Sequence, residues 1–396
     1  MLTVSDLNQH PNPLAQHYSE FNVAKRLLFT GHSHQAWPDC GFKGQMQAWR
    51  DAASLVDKKW GRAAAKADKV QQYFSHLLTD DGGDIALGQS TFELVVRFLS
   101  ALPLRQRPRI VTTDSEFHSL RRLLNRLSEE GIELVVVAAE PRQTFIERLC
   151  AEVTDLTAVV CCSKVFYNTG LVVGNLKPLA DCCRNRGAEL LVDAYHHLNV
   201  IPFAIGDEGL QQAYIVGGGY KYCQLGEGNC FIRLPKECRL RPVATGWYGE
   251  FDNLAQTAKQ KTLYESGPAR FAGATYDPTS HYRAVEVIEF FQAQQLTPSL
   301  LREISQQQLR LLQESFLSYD FDPAVISVND AIPLSDRGGF LVYSSPHAAV
   351  LTEKLLQRGV ACDSRGPSLR FGPAPYLSAR QCRDAMVALN EVVQEL

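Results

Sequence analysis

No run of apolar residues in this chain approaches the roughly twenty that a membrane span requires. Its first ten residues, Met1 to His10, have neither a basic start nor an apolar core. Neither a secretory leader nor a transmembrane helix is therefore expected. An excess of one charge is also missing. Forty Lys and Arg face forty-three Asp and Glu, a net charge of −3, which argues against a nucleic-acid binder or a protein held on anionic lipid. There is no Cys-x-x-Cys and no Cys/His ligand spacing, so zinc is not expected and no metal is assigned. Repeats and low-complexity linkers are absent too. What is present is ordinary for a soluble enzyme: 396 residues, 45% hydrophobic and 21% charged, enough for two domains. The eleven cysteines include the neighbours Cys161-Cys162 and Cys182-Cys183. Several lie in apolar stretches and read as buried free thiols of a reduced, cytoplasmic protein.

From about residue 84 to 235, short apolar runs alternate with helical patterns. Strands are expected at 109–113, 133–139, 158–163, 189–193, 213–217 and 229–233. Helices are expected at 119–130, 143–153 and 176–186. This alternation predicts an α/β fold with a mostly parallel sheet covered by helices on both faces. Ligands of such sheets bind beyond the carboxyl ends of the strands. The last hundred residues read differently. Long helices are expected at 280–294 and 298–318, a strand at 338–343, a helix at 347–358, extended pieces at 360–363 and 368–372, and a final helix at 378–396. The expected division is an N-terminal segment, 1–40, joining a small domain; a large domain, 41–265; and a small C-terminal α+β domain, 266–396.

Lys221 lies between an apolar strand ending in Gly217-Gly-Gly219 and a second glycine-broken turn, flanked by Tyr220 and Tyr222. Burial lowers a lysine pKa by penalising the ammonium, and a neutral amine can condense with an aldehyde. Twenty-eight residues upstream, Leu190-Leu-Val192 reads as a buried strand ending on Asp193. A carboxylate there needs a cationic partner. The pyridinium of pyridoxal 5′-phosphate (PLP) is such a partner and carries the aldehyde as well. Taken singly, Lys221 reads equally well as a surface turn lysine, and Asp193 reads more readily as a cap.

A phosphate would suit the helix beginning at Ser90-Thr91, where Phe92, Val95, Val96, Leu99 and Leu102 recur at helical spacing. Free N–H groups and the helix dipole favour an anion there, although Ser90 and Glu93 also have simple capping-box spacing. Tyr220 could add a hydrogen bond. Phe117 or His118, between a strand and a helix, could lie flat on a planar ring.

Together these motifs resemble the PLP-dependent fold-type I enzymes of the class V aminotransferase group, and within them kynureninase, from about residue 27 to the end. The resemblance implies that Ser90 and Thr91 grip the phosphate, that Phe117 stacks on the ring, and that Asp193 meets the ring nitrogen with His196 near the phenolic oxygen. It makes Lys221 the cofactor lysine, with Tyr220 reaching the phosphate. Trp247, in Gly246-Trp-Tyr-Gly249, and Thr275, in Gly273-Ala-Thr275, would hold phosphate across the interface of a homodimer. Arg370, in the run Arg370-Phe-Gly-Pro373, would clamp the carboxylate of an amino-acid substrate. Two stretches depart from the kynureninase pattern: Gly31-His-Ser-His-Gln-Ala-Trp-Pro38, and Cys223-Gln-Leu-Gly-Glu-Gly-Asn229 after the lysine. His32 and His34 read either as substrate-contacting or proton-transferring groups or as solvated turn residues; Tyr220 and Tyr276 are further donor candidates. The implied activity is a kynureninase-like hydrolase or lyase. A class V aminotransferase is the alternative, and a cysteine desulfurase or selenocysteine lyase a lesser one, since Cys362 reads as packing.

Overall fold

A computed structural model of the chain describes residues 2–254 and 262–396. At its centre is a seven-stranded sheet built from Asp84–Gly88, Arg109–Thr113, Glu133–Val137, Thr157–Ser163, Glu189–Asp193, Tyr214–Gly218 and Cys230–Leu234. Numbering these strands one to seven along the chain, their spatial order is 1-7-6-5-4-2-3. Only Cys230–Leu234 runs against its neighbours; the other pairings are parallel. Alternate residues feed two cores, one on each face. Val160, Cys162, Leu190 and Val192 enter one; Val159, Cys161, Leu191 and Val216 enter the other. Strands covered on both sides need continuous apolar runs, and Thr157–Ser163 is buried throughout.

Six of these seven strands match expectation within two residues, and the strand expected over 133–139 stops at Val137. The seventh, Asp84–Gly88, is one that the sequence pattern did not single out, and the strand expected over 338–343 begins only at Leu341. The helix expected over 143–153 opens as a 3₁₀ turn, Arg142–Thr144, before Phe145–Ala151. Two long helices, Cys40–Leu55 and Trp60–Leu77, precede the sheet. A second sheet orders Asp363–Arg365, Ser368–Phe371, Leu341–Ser344 and Ser327–Val328 side by side. Leu27–Leu28 pairs in parallel with Val360–Ala361, and Gly31 donates to the Gly372 carbonyl. The chain's beginning is thereby stitched to this second sheet. The register Asp363↔Arg370 sets those two side chains next to each other.

Candidate active site

Lys221 lies in the turn between the sixth and seventh strands of the large sheet, and Asp193 closes the fifth. Parallel neighbours end on the same side, so both reach one edge. Lys221 is 5% exposed. Its Nζ is 2.7 Å from His196 Nε2 and 4.6, 5.5 and 5.8 Å from the ring centroids of Tyr195, Phe117 and Tyr220. Burial pulls the amine down to about 7, against the attraction of Asp193 and helped by Arg370. A glycine makes the cage possible: a Cβ on Gly218 would fall 2.3 Å from the Tyr195 hydroxyl.

Asp193 accepts one hydrogen bond, from the Tyr195 N–H at 2.8 Å. Burial raises its pKa, and Lys221 works in the other direction. It borders a small cavity shared with Thr91, Phe117 and Val216. Burial, and then Lys221, push His196 far below the usual imidazole value. Its ring is therefore neutral, and its Nδ1 has no partner. An under-bonded buried carboxylate, a near-neutral lysine and an orphaned imidazole nitrogen suit a planar cationic heterocycle that carries an aldehyde and a phenolic oxygen.

At the phosphate end, the Ser90 hydroxyl accepts the Glu93 N–H at 3.2 Å and so caps the helix. The expected capping box is only half made. Glu93 reaches back to the Gln89 N–H at 3.0 Å instead of to Ser90, and its other oxygen pairs with Arg97. Thr91 opens the helix Thr91–Ser100.

Arg370 is 4% exposed. Its Nε and Nη2 grip Asp363 at 2.8 and 2.5 Å, and its Nη1 donates to the Tyr167 carbonyl at 2.7 Å. Three of the five guanidinium N–H groups are thus engaged, and two stay free for a substrate carboxylate. His32 Nε2 lies 2.8 Å from the same Asp363, and its ring stacks on Phe340 at 4.7 Å. A Cβ on Gly372 would meet His32 Nδ1 at 2.4 Å, so glycine is what lets the imidazole in. Burial lowers His32 to about 4 despite its bond to Asp363. Burial alone would raise Asp363, but His32 and Arg370 hold it well below the carboxylate range. The His32 imidazole is therefore neutral at ordinary pH.

His34 is exposed and stacks on Tyr220 at 4.8 Å with 16° between planes. Glu227 lies 3.7 Å away. Trp247 and Thr275 are not brought to the lysine. Trp247 is 42% exposed and lines a groove of about 890 Å³ with Trp60, Tyr248 and Tyr276, whose rim includes Gly88, Gln89 and Glu93 beside the Ser90 cap.

The two departing stretches turn out to be one assembly. Gln224, fully buried with φ 57°, donates to Gln35 Oε1 at 2.7 Å and accepts the Tyr18 hydroxyl at 2.5 Å. Gln35 in turn donates to the Gly31 carbonyl. Gln224→Gly relieves the left-handed backbone, worth about 1–2 kcal/mol, but strands two buried polar groups, costing about 1–3 kcal/mol each. We expect a net loss of about 1–2 kcal/mol in denaturant unfolding and a raised KM; a more stable variant would show that backbone strain outweighs the clasp.

Sequence reasoning missed Asp363, Tyr195, Gln35 and Gln224 as parts of the site. It also missed Asn168, which neighbours Tyr167 and has a buried carbonyl oxygen without a partner. Asp363 carried a signal: it precedes Arg370 across Arg365-Gly-Pro367, a turn that pairs the acid with the arginine.

Comparison with known proteins fixes the family. Residues 88–320 match aminotransferase class-V, more than half of the chain. The chain belongs to the class-V aminotransferase family. Residues 301–389 match the kynureninase C-terminal domain. The kynureninase of Deinococcus radiodurans is 23% identical over 97% of this chain and 94% of its own length. An uncharacterized aminotransferase, YcbU of Bacillus subtilis, is 24% identical over 57% of this chain, and that match spans only 60% of the relative. Among solved structures, a C-DES mutant with glycine covalently linked to its PLP cofactor superposes with a TM-score of 0.80 at 14% identity, over 95% of this chain and 99% of the other. The fold is thus fold type I, and the cofactor of this class-V enzyme is PLP. No helix among the described residues is long and apolar enough to cross a membrane.

Proposed function

We propose that this class-V enzyme is a kynureninase-like hydrolase that cleaves a side-chain bond of an amino acid. The observation that carries the reading is the convergence of a carboxylate clamp and a base on one wall. The Arg370 guanidinium lies 5.9 Å from the Phe340 ring, His196 lies 5.6 Å from the same ring, and Lys221 bonds His196. PLP, when bound, would supply an electron sink for charge left on the substrate Cα. Asp193 would hold the ring nitrogen protonated, Phe117 would stack on the ring, His196 would face its phenolic oxygen, and Ser90, Thr91 and Tyr220 would take the phosphate. Arg370 would fix the substrate carboxylate through its two free N–H groups. Lys221, near neutral, would remove the α-proton. Water addition to a γ-carbonyl would then draw on His34 or Tyr220 as donors, with His32 orienting the clamp.

We read the chain as a cytoplasmic homodimer divided at about residues 40 and 265. Phe42, Met46 and Trp49, exposed on one stripe of Cys40–Leu55, and the groove at Trp247 support a partner copy there. Trp247, Thr275 and Tyr276 would then complete the neighbouring site in trans.

A desulfurase would need an accessible nucleophilic cysteine near Arg370. Cys362 is buried, and burial pushes its thiol up to about 12, which disfavours that reading. The test is incubation of the PLP-loaded enzyme with an amino-acid panel that includes kynurenine and 3-hydroxykynurenine. Alanine release is the expected result. Keto acid alone would make the enzyme an aminotransferase, and sulfide from cysteine would make it a desulfurase.

A further inference from the structure

Directly before Phe117, and outside every role assigned above, is a second buried acid. Glu116 is 1% exposed. Its Oε1 accepts the Thr113 hydroxyl at 2.8 Å and the Ser163 N–H at 2.9 Å, and its Oε2 accepts the Ser163 hydroxyl at 2.6 Å. No cation pairs with it among the described residues. Ser163 is the register partner of Asp193 in the adjacent strand. The two Ser163 donors therefore tie the turn that carries Phe117 to the strand end paired with Asp193, while Thr113 braces the turn from the strand before it. The other titratable groups around Glu116 are the thiols of Cys161 and Cys162 on the same strand as Ser163, and both are themselves pushed well up by burial. Two buried carboxyls thus share one strand edge, with Lys221 the cation attracted to Asp193.

We propose that Glu116 is a proton-carrying positioning residue: it seats Phe117 over the cofactor site, and by gaining or losing a proton it changes the charge behind Asp193. Burial raises its carboxyl to about 7 against its three donors, and Asp193 pushes the same way. Below that value Glu116 is neutral and Asp193 is the sole anion. Above it, two neighbouring anions strengthen the hold on any proton carried by a ring nitrogen against Asp193. This rests on the PLP reading only for the consequence at the ring; the titration itself belongs to the chain.

Three measurements test the proposal. Infrared spectra of the wild-type protein with isotope-labelled glutamate, with and without PLP, should show one protonated carboxyl band that disappears between about pH 6 and 8. Glu116→Gln, which can keep the acceptor to Ser163, should lack that band. A glutamic acid raised from its ordinary 4.5 to about 7 makes the native state lose stability as pH rises from about 4.5 through about 7. The melting temperature of Glu116→Gln should therefore gain on the wild type by about 2–4 °C between pH 5 and 8. In the loaded enzyme, the pH-dependent change of the cofactor absorbance should shift by at least about half a pH unit in Glu116→Gln. A band that never titrates, or a melting difference flat with pH, overturns the proposal even where Glu116→Gln folds poorly, because the infrared titration is made on the wild type. If the chain took up no PLP, the cofactor reading would fail, while the infrared and melting results would still judge Glu116.

Discussion

Replacing Lys221 by methionine should abolish turnover and, at the same time, make the cofactor-free protein more stable. The loss should be about 10⁴-fold or more, since the same amine is asked to bind the cofactor and to carry the α-proton. The gain follows from electrostatics. Burial takes this lysine from the ordinary 10.5 to about 7. In the unfolded chain the amine holds its proton up to its ordinary value, so between 7 and 10.5 the unfolded state binds more protons than the folded one. The cost of folding is therefore complete below about 7 and is relieved as pH rises toward 10.5. Each unit is worth about 1.4 kcal/mol, which sets a ceiling of about 5 kcal/mol; relaxation and the lost bond to His196 leave an expected gain of about 2–3 kcal/mol. Methionine keeps the packing of the lysine stem. Chemical denaturation at pH 7 and at pH 10 decides the matter: the advantage of Lys221→Met should be large at the first and small at the second. A variant less stable at pH 7 would mean that the amine is satisfied where it sits, and that its readiness to lose a proton is not built into the fold.

This tension between function and stability also explains what could be read from the sequence. The sheet was legible because strands buried on both faces have to be almost wholly apolar, as Thr157–Ser163 is, and because their glycine-bounded ends mark where polar groups can surface. Asp193 and Lys221 stood out as polar residues placed where burial penalises them. The order of the strands was not legible: that Cys230–Leu234 sits between Asp84–Gly88 and Tyr214–Gly218 depends on long-range pairing with no local trace. Partners that act across the fold were equally hidden. Gln35 and Gln224 are 189 residues apart, and each alone is an unremarkable polar residue in a turn. The two sequence departures could be named but not joined, since only the folded backbone brings one against the other. Glu116 was read through its neighbour Phe117 for the same reason, because its donors come from Thr113 and from a strand nearly fifty residues on. Trp247 gave no local sign that it would line a groove with Trp60, Tyr248 and Tyr276.

Removing the guanidinium at Arg370 should cost more stability than any other single change at the site. In the native chain Arg370, Asp363 and His32 form a buried row in which the acid is held from both sides. Arg370→Ala leaves Asp363 with His32 and the more distant Arg365, whose Nη2 lies 3.7 Å away. Breaking one partner of a buried pair costs about 3–5 kcal/mol. Asp363 is 17% exposed in its side chain, which places the expectation near the lower figure. The pH dependence has a definite sign. Asp363 is held below its ordinary 3.8, so its contribution is present above that value and is lost as the solution is acidified through the depressed one. The wild type should therefore lose stability on acidification below about pH 4 more steeply than Arg370→Ala, and the gap between them should close. Arg370→Lys separates charge from geometry. An ammonium can pair with Asp363 but cannot also hold Tyr167 and present two parallel N–H groups to a substrate carboxylate. Its stability should fall by only about 1 kcal/mol, whereas kcat/KM for an amino-acid substrate should fall about 10–100-fold, mainly through KM, as expected for the loss of a bidentate, charge-assisted contact. If Arg370→Lys bound substrate as well as the wild type, the two free N–H groups would not be the clamp, and the row would be a structural brace between the second sheet and the Tyr167 turn.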